Sequence, residues 1–191
     1  MLAKVVVPLV VALALALSSC GDPGTNDEVT VASKPYVDAL VGDLSAHGAG
    51  DIELTATQAR CLAPRWVNVL QPERLQAAGI RPGTLARDVG FDVKAAEVPL
   101  TDGEVGHLVD AFGACDVDLE QAYVDHVTAG HAPDPTDRDC LADALSDDLL
   151  RRLVSVELTK GAAAVDQDAN LSSELFDALS TCPGAIDVAG S

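Results

Sequence analysis

Two short patterns, each built around a cysteine, occur twice in this chain and in the same order. Thr57-x3-Cys61-Leu62-Ala63 returns as Thr136-x3-Cys140-Leu141-Ala142, and Leu108-x-Asp110-Ala111-x3-Cys115 returns as Leu175-x-Asp177-Ala178-x3-Cys182. A helix-capping residue lies six positions before the first cysteine both times. Thr55 has Gln58 three residues on, a capping box, and Asp134 is followed by Pro135 at the first helical position. Four cysteines allow three pairings. The repeat narrows them to two copies of one helical unit, each stapled within itself, Cys61–Cys115 and Cys140–Cys182. Each ring removes about 4 kcal/mol at most of unfolded-state freedom, and a second copy of roughly fifty residues needs such a staple. The competing explanation is chance similarity among Ala-, Leu- and Asp-rich helices, whose low complexity multiplies such matches.

The apolar period is helical wherever it is legible. Tyr36, Val37, Leu40, Val41 and Leu44 form one stripe ending near His47-Gly48, and Leu62, Trp66, Val69 and Leu70 form a second. Pro72 opens a short helix stopped at Gly79. Thr101-Asp-Gly-Glu104 is a capping box for a helix carrying Val105, Leu108, Val109, Phe112 and Cys115, and Leu119–Ala129 is another, closed by Gly130. Further helices are expected at about 135–145, 147–160 and 172–181. Pro64 stands where the second copy has Asp143, so the first-copy helix is expected to kink, with Ala63 biased away from helical backbone. The first copy also carries an insertion, residues 80–99, with no strong period. Such a segment is functional or disordered, and the other alternative is a plain surface loop. It holds Arg81, Arg87, Lys94 and the Gly90-Phe91 pair, the first candidates for contact with a partner.

The N-terminus reads as an address. Lys4 precedes a 13-residue run, Val5–Leu17, interrupted by Pro8. At about 1.5 Å per residue a helix of that length spans roughly 20 Å, short of the ~30 Å hydrocarbon layer, so it fits a signal-peptide core and not a membrane span. Leu17-Ser18-Ser19-Cys20-Gly21 then resembles the lipobox of bacterial lipoproteins. The resemblance implies that Cys20 receives a thioether-linked diacylglycerol, with acyl chains such as palmitate, and becomes the mature N-terminus on the extracytoplasmic face. Two or more chains anchor stably where one does not. An ordinary signal peptide with Cys20 as a stray thiol is the alternative. Gly21–Ser33, polar and poor in apolar residues, suits a flexible tether.

Charge sharpens once the signal is set aside. The whole chain carries 12 Lys+Arg against 30 Asp+Glu, net −18; without residues 1–19 it loses Lys4 and no acid, leaving −19 over 172 residues. That excludes a nucleic-acid partner, which needs clustered basic residues, and electrostatic adsorption to anionic lipid. The Ala/Val/Asp-rich composition, with Arg exceeding Lys, resembles that of high-GC actinobacteria. The cysteine-framed repeats loosely resemble uncharacterised secreted or lipid-anchored helical proteins of such organisms. That resemblance implies no activity and supplies no functional residue.

Motifs for chemistry are sparse. His47, His107, His126 and His131 form no HExxH, and no GxSxG, P-loop or GxGxxG occurs, so no cofactor is expected. No CxxC is present, and two disulfides leave no thiol nucleophile. Asp166, Asp168 and Asn170 resemble the first ligands of an EF-hand calcium loop. Against that, Leu171 replaces the turn glycine and Asp177 the bidentate Glu. An acidic linker capping the last helix competes with it. Asp116-Val-Asp118-Leu-Glu120 likewise suits a helix first turn.

These features predict an all-α protein, a small disulfide-stapled helical domain built from two duplicated helical units. Residues 1–19 are the signal, 20–33 the lipidated cysteine and tether, 34–130 the first unit with its 80–99 insertion, and 131–191 the second. The expected role is a non-catalytic binding or scaffold lipoprotein at the cell envelope, meeting an envelope protein or a cationic ligand. The alternatives are an envelope enzyme with a carboxylate/His site, or a lipoprotein that binds a divalent cation or solute.

Overall fold

The computed structural model describes residues 29–50, 52–85, 98–129, 134–161, 163–182 and 184. The signal, Cys20, most of the tether and residues 86–97 of the insertion lie outside them. Among the described residues the protein is all-α. Ten helices run α1 Lys34–His47, α2 Ala56–Leu70, α3 Pro72–Ala77, α4 Pro82–Leu85, α5 Asp102–Ala114, α6 Leu119–Val127, α7 Pro135–Ala144, α8 Asp147–Lys160, α9 Ala163–Gln167 and α10 Ala169–Ser180. The sole β contact among these residues is a single bridge, Ala49 to Ile52.

Local chemistry accounts for most of the boundaries. Thr55 and Thr101 each complete a capping box, with Gln58 and Glu104 respectively. Asp118, Asp134, Ser146 and Asp168 accept backbone N–H bonds at the starts of α6, α7, α8 and α10. Gly48 ends α1 at φ +77°, and a side chain there would collide with the Ile52 carbonyl, so glycine is required twice over.

Two disulfides join Cys61 to Cys115 (Cα–Cα 5.6 Å) and Cys140 to Cys182 (5.9 Å), each within one copy of the repeat. The first ties α2 to the residue just beyond α5, the second ties α7 to the residue two beyond α10.

Two apolar clusters form the interior. The first gathers α1, α2, α5 and the loops around Ile52, Ile80 and Val98. Trp66 lies at its centre, edge-on to Phe112 at 5.4 Å, with its indole N–H donating to the Leu108 carbonyl at 2.9 Å. The second cluster gathers Tyr123 and Val124 of α6 with Leu141, Leu145, Leu149, Leu150, Leu153 and Leu171. Helix α8 serves both: Leu149, Leu150 and Leu153 enter the second cluster, while Val154 and Leu158 enter the first. The boundary drawn from the repeat therefore divides the sequence but not the interior.

Three expectations are corrected. Ala63 remains helical ahead of Pro64, because α2 continues unbroken to Leu70 with Ala63, Pro64, Trp66 and Val67 all buried; packing outweighs the local preference. The start of the insertion is not irregular. It forms α4, buries Ile80 and Leu85, and receives the Tyr36 hydroxyl at the Ile80 carbonyl, 3.0 Å. Finally, the last helix begins at Ala169, not near 172, and is preceded by α9.

Candidate functional site

The acidic segment between α5 and α6 is held from two sides and borders open space. Cys115 is pinned to α2 by its disulfide, and the chain then turns through Asp116 at φ +55°, a left-handed conformation that Asp tolerates better than most residues. The Gln58 side chain secures this turn. Its amide nitrogen donates to the Asp116 carbonyl at 2.9 Å, while its oxygen accepts the Thr55 backbone N–H, also at 2.9 Å. One side chain thus fixes both the start of α2 and the linker. Val117 is buried beneath, and Asp118 caps α6 by accepting the Gln121 N–H at 3.0 Å.

Residues 116–120 form a ridge with a cleft on either side. The first cleft, of about 510 Å³, lies between α5, α6 and the start of α8 and exposes Asp110, Asp118, Glu120 and Asp147, with Arg151 at its edge. Arg151 forms an ion pair with Asp110. Burial pushes the Glu120 carboxyl above its ordinary range, and Asp118, Asp147 and Asp143 push it further. The second cleft, of about 550 Å³, lies between the end of α1, the loop before α2, and α6. Glu53, Asp116, Asp118 and Asp125 line it together with His47 and His126, and no Lys or Arg stands among its described lining residues. Arg138 reaches Asp125 from α7 and also donates to the Thr128 hydroxyl at 3.2 Å. His47 Nδ1 lies 3.1 Å from the buried carboxylate of Asp43. Concave acidic surfaces of this kind focus negative potential and favour positively charged partners.

The residues singled out from sequence are not brought together. Arg81 is exposed at the start of α4, where its carbonyl accepts the Thr84 and Leu85 N–H groups at 2.9 Å. Arg87, Phe91, Lys94, Cys20 and His131 lie outside the described residues. Asp168 uses its carboxylate to cap α10, accepting from Asn170 N at 3.2 Å and Leu171 N at 3.1 Å. Asp166 on α9 and Asn170 on α10 are exposed. Among the described residues no group of three His, Cys, Asp or Glu side chains is placed to hold a metal ion. His107 lies half-buried on α5, away from both clefts.

Sequence reasoning missed the clefts. Their walls come from α1, α2, α5, α6 and α8, which only the folded chain assembles. The available signal was Asp116-Val-Asp118-Leu-Glu120, read as suiting a helix first turn, where Asp118 is the cap and Glu120 the first-turn acid; the position of this segment between α5 and α6 is what makes it a wall of both clefts. No protein-family model, curated protein or solved structure matches this chain.

Proposed function

We propose that the protein is a lipid-anchored, extracytoplasmic binding or scaffold lipoprotein whose partner presents positive charge. The lipobox-like Leu17-Ser18-Ser19-Cys20 supports the anchor, and the tether after it would hold the helical part off the surface. One observation carries the binding reading: two acidic clefts share a wall, residues 116–120, that a disulfide and Gln58 hold in place. Preorganisation of this kind lowers the ordering cost of association.

Both parts are testable. Cys20→Ala is expected to move the protein from the membrane to the soluble fraction and to abolish labelling with a palmitate analogue; unchanged fractionation removes the anchor. An oligo-arginine peptide is expected to bind at low salt and to lose affinity steeply as salt rises. The Glu53→Gln/Asp116→Asn pair is expected to weaken that binding at least about tenfold, roughly 1.4 kcal/mol. Equal binding by the variant removes the clefts as the site.

A catalytic reading has one observation in its favour, His126 among the carboxylates of the second cleft. It requires that His126→Ala abolish a hydrolytic activity found on envelope substrates while leaving oligo-arginine binding intact.

A further inference from the structure

The two copies of the repeat do not bury the same faces. In the first copy, α5 packs against α8. Val109 is only 2% exposed there and lines the junction with Gly113, Leu150 and Arg151. Its neighbour Asp110 forms an ion pair with Arg151 across that junction. The structure therefore records how this motif receives a helix: an apolar residue, an aspartate beside it, a small residue one turn on, and a partner helix bringing a leucine next to an arginine.

In the second copy the equivalent positions, by the shared Leu-x-Asp-Ala-x3-Cys pattern, are Phe176, Asp177 and Ser180 on α10. Phe176 is 68% exposed, in a chain whose aromatic content is only 3%. Asp177 is exposed, and among the described residues no cation pairs with it. Ser173 and Ser180, one turn to either side of Phe176, are exposed and small. The orientation of α10 is set from its other side. Leu171 is buried in the second cluster, Leu175, Ala178 and Leu179 pack against that cluster, and Cys182 is bonded to α7. Phe176 consequently points away from the interior for the same reason that Leu171 points into it.

We infer that the Phe176–Asp177 face of α10 is a docking surface for an amphipathic helix of another protein, one carrying an arginine beside its apolar stripe, as α8 does for α5. Charge complementarity selects that occupant. A second copy of this chain would bring net charge −18 against net charge −18, and its own helix of matching chemistry, α8, has its apolar residues committed to the two clusters. A cationic flank satisfies Asp177 as Arg151 satisfies Asp110. The surface lies apart from the acidic clefts and does not depend on their reading.

The test places a photo-crosslinking residue at Ser173 of the full, membrane-targeted chain in intact cells, with the product mapped by mass spectrometry. The expected product joins Ser173 to a helical segment of a different protein with an arginine within one turn of its apolar stripe. Phe176→Ser and Asp177→Lys are each expected to cut its yield at least tenfold without changing the melting temperature. Exchanging that arginine for aspartate is expected to restore the Asp177→Lys yield. Crosslinking to residues 185–191 of the same chain, to a second copy, or to a segment without the arginine overturns the proposal, as does the absence of any product. Loss of oligo-arginine binding in the cleft variants leaves this outcome unaffected, so the two surfaces fail separately.

Discussion

Trp66, the chain's one tryptophan, combines full burial, an edge-on contact with Phe112 and a hydrogen bond to the Leu108 carbonyl. Trp66→Ala is expected to cost about 3–5 kcal/mol, measured by urea unfolding, through cavity formation and loss of the buried indole hydrogen bond. Two glutamates set opposing pH responses. The Thr101 backbone N–H, and then Arg74, hold the Glu104 carboxyl below its ordinary range. Its contribution is present above the unfolded-state pKa and is lost as pH falls through the lowered folded value. Glu120, raised by burial and by its acidic neighbours, holds a proton longer in the folded state than in the unfolded one. Stability from this site therefore falls as pH rises from the ordinary glutamate value through the raised one. Glu120→Gln is expected to raise the melting temperature at pH 7 and to flatten that part of the profile; melts between pH 4 and 7 check both. The Glu104 response was legible in outline, because a capping box is spelled within four residues. The Glu120 response was not, since Asp143 and Asp147 approach it from other helices.

The helices differ in how strongly they are held. α2 buries eight residues, Pro64 among them, whereas α10 buries only Leu171 outright and keeps Leu175, Ala178 and Leu179 half-covered. The disulfide at Cys182 therefore matters more to α10 than its twin at Cys115 does to α5. Replacing Cys140 and Cys182 with serine is expected to cost up to about 4 kcal/mol. Amide exchange in α10 is then expected to become fast while α2 and α5 stay protected; uniform loss of protection would contradict this ranking. Caps, stops and the two cysteine pairs could be read from sequence because their chemistry is local or is repeated. The continuity of α2 past Pro64 could not, because tertiary burial decides it; the acidic linker was legible as a cap for the last helix, but not that Asp168 itself is the cap, which starts α10 at Ala169.

At the scale of the whole molecule, α8 removes the independence that the repeat suggests. Leu158→Ala, a change in the second half, is expected to destabilise the first cluster by about 2–5 kcal/mol. Unfolding followed by Trp66 fluorescence, which reports the first cluster alone, is expected to coincide with unfolding followed by far-UV circular dichroism. Separate transitions would show two independently folding halves. A repeat is visible along a sequence; the sharing of one helix between two interiors is a property of three dimensions.

The placement of the two disulfides also fixes what a protease can accomplish. Eight of the twelve lysines and arginines fall inside a closed ring: Arg65, Arg74, Arg81, Arg87 and Lys94 between Cys61 and Cys115, and Arg151, Arg152 and Lys160 between Cys140 and Cys182. A tryptic nick at any of these leaves the severed ends covalently joined through sulfur. Of the remaining four, only Arg138 lies between the rings, and its guanidinium is engaged by Asp125 and Thr128. Covalent connectivity from α1 to α10 thus tolerates most single tryptic cuts.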